Sequence, residues 1–143
     1  MTVGRILAAK GRDVITIEPH RSVGEAAEVL ARKGIGAIVV LDSAGGVRGI
    51  FSERDIVRLL AAKGVEALQD EVASWMTLAV VTTTESTSVH SLMEQMTRGR
   101  FRHIPVVEND RLAGIVSIGD VVKQRLAEME DEQQAMREYI ATA

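Results

Sequence analysis

The chain has 143 residues, of which 46% are hydrophobic and 3% aromatic, and it contains no cysteine. That length suits one domain or two small repeats sharing a core, and the composition excludes disulfides, thiolate chemistry, cysteine metal sites and an aromatic platform for single-stranded nucleic acid. The net charge is −3, and all of the excess sits in residues 124–143, so no positive field draws DNA or an anionic membrane. With no signal-peptide core at the N-terminus and no run near 18 apolar residues, the expectation is a cytoplasmic protein.

Two copies of one unit account for most of the chain. Residues 14–41 laid on 80–107 share eight identities in 28, among them Val14/Val80, Thr16/Thr82, Ser22/Ser88 and Ile38/Ile104. The offset is 66, and it becomes 65 after the turn, where residues 49–58 on 114–123 share five identities in ten.

The spacing predicts a short leading helix over 3–9. Val14-Ile15-Thr16-Ile17 is β-branched and reads as a strand ended by Pro19. Ser22 and Glu25 form a capping box for a helix that runs to about Lys33, and Gly34 ends it. Ala37–Leu41 is too apolar for a solvated strand and is expected to be nearly buried. Asp42–Gly46 is a hairpin turn, Val47–Phe51 returns, and Ser52 opens a helix through Asp55, Ile56 and Leu59.

A second leading helix is expected over about 70–76, with Trp75 packed in a groove between the copies. The second unit follows the same grammar: a strand at 80–83, a helix from Ser88 to about Arg98, paired strands at 103–107 and 112–116, and a helix opened by Ser117. Pro105 lacks a backbone donor and marks a sheet edge or the border of a ligand. The last helix, over 118–139, carries Val122, Leu126, Met129, Gln133, Met136 and Ile140 at steps of three and four. That stripe needs a surface: either the protein's own body or a second subunit.

The recurring G-I-[FV]-S-x-x-D is the sharpest motif, with Gly49, Ile50, Ser52 and Asp55 in one copy and Gly114, Ile115, Ser117 and Asp120 in the other. A serine and an aspartate at the start of a helix can cap it, and the same carboxylate can accept both hydroxyls of a ribose while free N–H groups hold phosphate. The residues alone leave both roles open. Catalysis has little support: no Walker or dinucleotide-binding glycine pattern occurs, Glu53 and Asp55 do not share a helix face, and no metal-binding histidine pair is present.

These tandem motifs, together with Arg102-His103-Ile104-Pro105-Val106-Val107 and Ser52-Glu53-Arg54-Asp55, resemble CBS domains over about residues 3–138. The resemblance implies a stand-alone pair, or Bateman module: an α+β fold of two β-α-β-β-α repeats packed with pseudo-two-fold symmetry, with residues 3–63 forming the first repeat and 70–138 the second. It further implies a non-catalytic sensor that needs no cofactor, binds an adenosyl nucleotide (AMP, ADP, ATP or S-adenosylmethionine), forms a homodimer and regulates an unidentified protein.

The ligand set implied for one cleft is Ser52, Asp55, Arg54, Ile50, Thr16, Ala37 and Val39, and for the other Ser117, Asp120, Ile115, Thr82, Arg102, His103 and Pro105. Arg54 and Arg102, with Arg98 and Arg100 nearby, are the candidate phosphate partners. The first copy has Gly36-Ala37-Ile38-Val39 where the second has the H-x-P element, so the Asp120 cleft is expected to bind more tightly. The competing expectation is a scaffold with vestigial clefts that acts through its terminal helix.

Overall fold

The computed structural model describes residues 1–78 and 81–142. Two core clusters organise it, and each is built around one repeat. In the first repeat, β1 (Thr16–Ile17), α2 (Val23–Lys33), β2 (Ala37–Leu41), β3 (Val47–Ser52) and α3 (Glu53–Lys63) follow in order. α2 starts where Ser22 Oγ accepts the Glu25 N–H at 3.1 Å. The Glu25 carboxylate turns to Arg21 instead of closing the box. Gly34, at φ 63°, ends the helix in the left-handed conformation that suits glycine.

β4 (Thr77–Leu78) adds to β3, giving a sheet in the order β1-β2-β3-β4. Alternation along β2 sends Ile38 and Val40 into the first core, while Ala37 and Val39 face the other way and are buried too. The strand is therefore covered on both faces, as its apolar run requires.

The second repeat has α5 (Val89–Gly99), β5 (His103–Glu108), β6 (Arg111–Ser117) and α6 (Ile118–Thr142). Of the strand expected at 80–83, Val80 lies outside the described residues, and only Thr83 makes a bridge, parallel to Val106. Proline explains the loss. In the first repeat the Val39 N–H donates to the Ile15 carbonyl, extending the parallel pairing. Its counterpart in the second repeat is Pro105, which has no N–H to donate to residue 81. Pairing stops at the two bonds of Thr83, one to the Pro105 carbonyl and one from the Val107 N–H.

The leading segments cross over. α1 (Val3–Lys10) puts Val3, Ile6 and Leu7 into the second core, beside Leu92, Ile104 and Val116. α4 (Val72–Trp75) puts Val72 into the first core, preceded by a 3-10 turn at Val65–Gln69 that contributes Ala67. Trp75 also packs on the first core, not in a groove between the halves, and its indole N–H donates to Asp70. Backbone bonds seal both exchanges: Val3 N–H to the Thr87 carbonyl on one side, Val72 N–H to the Arg21 carbonyl on the other.

The motif glycines sit at these junctions. A Cβ on Gly49 would meet the Thr77 carbonyl at 2.6 Å, and one on Gly114 would meet Leu7 Cδ2 at 2.8 Å. Each glycine makes room for the leading segment packed against its own repeat.

α6 does not fold back over the body. Beyond Glu128 every described residue is exposed. Among the described residues no helix is long and apolar enough to cross a membrane.

Candidate functional site

A cavity of about 360 Å³ opens between the end of β3 and the start of α3 on one side and the approach to β5 on the other. The first repeat contributes Gly36, Ile50, Ser52, Glu53, Arg54 and Asp55, and the second contributes Gly99, Arg100, Phe101, Arg102 and His103, with Thr77 from β4 between them. Residues expected in different clefts thus share one space: Arg102 and His103, assigned with Asp120, border the cavity of Asp55. Thr16, Ala37, Val39, Thr82, Pro105, Ile115, Ser117 and Asp120 do not line it. Thr16 and Thr82 are exposed, while Val39 and Pro105 are buried in their strands.

Asp55 is 3% exposed and fully engaged. Its Oδ2 accepts the Ser52 N–H at 2.8 Å and the Ser52 hydroxyl at 3.2 Å. Its Oδ1 accepts from Arg58 Nη2 and from Thr77 Oγ1, each at 2.9 Å. Such a set of donors replaces the water that burial takes from a carboxylate. Arg58 and Thr77 were missed in the sequence, and only Arg58 carried a signal, an arginine one helical turn after the aspartate.

Asp120 is held differently. Its Oδ2 accepts the Ser117 N–H at 2.8 Å and Lys10 Nζ at 2.6 Å, while the Asp120 N–H donates to Ser117 Oγ at 3.1 Å. Lys10 also donates to the Ile115 carbonyl at 2.9 Å. Asp120 Oδ1 has no hydrogen-bond partner among the described residues. Partial burial works against the charged form, but the bonds from Lys10 and Ser117 and the Lys10 charge outweigh it, so the carboxyl titrates below its ordinary 3.8.

His103 stands between the two motifs. Burial lowers its pKa from the ordinary 6.5; Asp120 and Glu53 pull it up, Lys10 and Arg102 push it down, and the net direction is down. The imidazole is therefore neutral at pH 7, with one nitrogen able to donate and the other to accept. It also packs across the junction of the halves, with Cε1 3.5 Å from where a Gly36 Cβ would stand.

Arg54, Arg100 and Arg102 rim the cavity, and none forms an ion pair with another described residue. α5 ends in such a way that Arg100 takes the left-handed conformation at φ 57°, which sets Arg100 and Arg102 at the cavity mouth. Glu53 is the one acidic side chain besides Asp55 on the lining. Ile50 and Phe101 supply apolar wall. The arrangement offers cations, an apolar surface and a capped carboxylate within one space. Among the described residues no group of histidine and carboxylate side chains is placed to hold a metal ion.

The model of the CBS domain matches residues 4–62 and 71–127. The chain belongs to the CBS-domain family. It is a tandem CBS pair, a Bateman module, and such modules are regulatory and non-catalytic. It is similar to the CBS-domain containing protein ATU1752 from Agrobacterium tumefaciens, with a TM-score of 0.84 and 53% identity, covering 87% of this chain and 92% of that one. The CBS domain pair of protein MJ0100, in complex with 5′-methylthioadenosine and S-adenosyl-L-methionine, superposes with a TM-score of 0.80 at 26% identity, covering 90% and 98%. CBSX2 in complex with AMP gives 0.71 at 26% identity, covering 81% and 90%. The CBS pair here therefore shares its fold with proteins that bind adenosyl compounds.

Proposed function

We propose that this CBS pair is a sensor that binds an adenosyl nucleotide in the cavity beside Asp55. The observation that carries the reading is the rim of three arginines, without ion-pair partners among the described residues, around an open cleft of about 360 Å³, a size within the ordinary range for small-molecule sites of roughly 300–1,000 Å³. In this reading Arg54, Arg100 and Arg102 take the phosphate, Ile50 and Phe101 flank the base, and Ser52 and Asp55 reach the ribose. Asp55 Oδ1 would exchange the Thr77 hydroxyl for a ribose hydroxyl, keeping one charged bond for another. The structures of CBSX2 with AMP and of MJ0100 with S-adenosylmethionine and methylthioadenosine support the ligand class.

The second position, around Ser117, Asp120, Ile115, Thr82 and Pro105, ranks behind the first, the reverse of the order expected from the H-x-P element. Its open Asp120 Oδ1 suits a diol, but Lys10 already occupies the other oxygen. Ala37, Val39 and Thr16 support the sheet behind the first cavity. The unit of function is a cytoplasmic homodimer whose protein partner responds to a nucleotide-dependent change, which requires the ligand to prefer one of two states.

The competing reading, a scaffold with vestigial clefts, is favoured by one observation: both Asp55 oxygens are already satisfied within the chain. Calorimetry with AMP, ATP, S-adenosylmethionine and methylthioadenosine decides between them. We expect at least one to bind, with affinity falling about tenfold in Arg102→Ala through loss of a charged hydrogen bond. No heat with any of the four returns the function to the scaffold, whereas binding at wild-type affinity in both Arg54→Ala and Arg102→Ala moves the ligand away from this arginine rim.

A further inference from the structure

The terminal helix carries a pattern that the nucleotide cavity does not use. α6 runs 25 residues, and its second half stands clear of the body. Val122, Leu126, Met129, Met136 and Ile140 are 47–67% exposed although all are apolar. With Gln133 they fall at alternating steps of four and three, a strict heptad seam about 27 Å long. Leu126, Gln133 and Ile140 take the a positions, and Val122, Met129 and Met136 take the d positions.

We infer that α6 pairs with α6 of a second copy of this chain as a parallel, in-register two-stranded coiled coil. This rests on the homodimer proposed above and goes beyond it by naming the seam and its direction. Flanking charge decides the direction. In the parallel pair, each Arg125 faces the partner's Glu130, and each Glu132 faces the partner's Arg137. Two-fold symmetry doubles both contacts, giving four opposite-charge pairs.

In the antiparallel register that stacks the same six layers, like charges meet instead: Glu130 on its own copy, Glu132 on its own copy, and Lys123 on Arg137. Gln133 gives the same answer. In the parallel pair it meets the second Gln133, and the two amides bond to each other. In the antiparallel pair it meets Met129 and its amide is buried without a partner. Arg125 already reaches Glu128 of its own helix, and its five donors can serve both carboxylates.

The chain has no cysteine of its own, so a single introduced thiol reports direction. Met136→Cys places it on the seam, and Glu138→Cys places it on the outer face of the same turn. On mild oxidation we expect Met136→Cys to form a covalent dimer and Glu138→Cys to stay a monomer on a denaturing gel. Sedimentation supplies a second reading: Glu132→Arg should weaken the dimer about tenfold by setting arginines against arginines, and Glu132→Arg with Arg137→Glu should restore it.

A wild-type chain that is monomeric at micromolar concentration overturns the inference. So does a dimer in solution in which Met136→Cys does not cross-link, or in which both thiols cross-link alike; these two results leave the homodimer intact and remove only the parallel seam. Nucleotide affinity is read separately, so failure of the sensor reading leaves this test unaffected.

Discussion

Asp55 and Asp120 occupy matching places in the repeat but live on different contacts. Asp55 is sealed among Ser52, Arg58 and Thr77, whereas Asp120 is half-open and answers to Lys10. Lys10 comes from 110 residues away in sequence, so no local motif announces it. The Lys10–Asp120 pair makes a pH-dependent contribution whose sign follows from the lowered pKa of Asp120. The folded state binds that proton less readily than the unfolded chain, so the stabilisation is complete above the unfolded value of 3.8 and is lost as pH falls through the lowered folded value. We expect Lys10→Met to cost about 0.5–1 kcal/mol at neutral pH, a modest figure because both side chains are partly solvated. The cost should be smaller at an acidic pH below 3.8, where the protonation of Asp120 weakens its hold on Lys10. Urea denaturation at the two pH values measures it, and a cost that does not change with pH would assign Lys10 to packing alone.

At the scale of elements, the caps, the hairpins and the buried strand β2 were legible because each follows from local chemistry: Ser22 and Ser88 before helices, Gly34 after one, an unbroken apolar run at 37–41. The short pairing at Thr83 was not, although its cause is a visible residue. Pro105 signalled an edge, but its effect falls on a distant segment that would have paired with its absent N–H. The motif glycines were legible as a repeated feature, while what packs against them was not. Gly49 and Gly114 differ in a way that can be measured. A methyl group on Gly49 meets a backbone carbonyl at 2.6 Å, which cannot move without shifting β4; on Gly114 it meets both methyl groups of Leu7, at 2.8 and 2.9 Å, and this buried side chain has to repack to make room. Both changes overpack the core, at a cost of about 1–3 kcal/mol, and we expect Gly49→Ala to cost the more of the two because a side chain repacks more readily than a strand moves. Equal costs in thermal unfolding would mean that the two junctions yield alike.

Across the whole molecule, the repeat identifies two copies but not which leading helix serves which core. Internal similarity aligns residues 14–41 with 80–107 and is blind to the exchange, because Val3, Ile6 and Leu7 would satisfy either apolar surface. For the same reason the sequence sorted Arg102 and His103 with Asp120, when the closeness of the two halves brings them to the cavity of Asp55. The exchange has a consequence for how stability is distributed. Leu7 is fully buried in the second core, among Leu92, Ile104 and Val116, although it is nearer in sequence to the first repeat. Leu7→Ala should cost about 2–5 kcal/mol, as for other buried leucines, and the loss should be local in an unexpected place. Native-state hydrogen exchange reads this directly. Amides of α5, β5 and β6 should lose protection in the variant, while those of α2, β2 and α3, which rest on the other core, should keep more of theirs. Loss confined to α2, β2 and α3 would place α1 on its own repeat and undo the exchange. Uniform loss would show that the two cores unfold as one unit, and the shared cavity between them would then be part of a single cooperative structure.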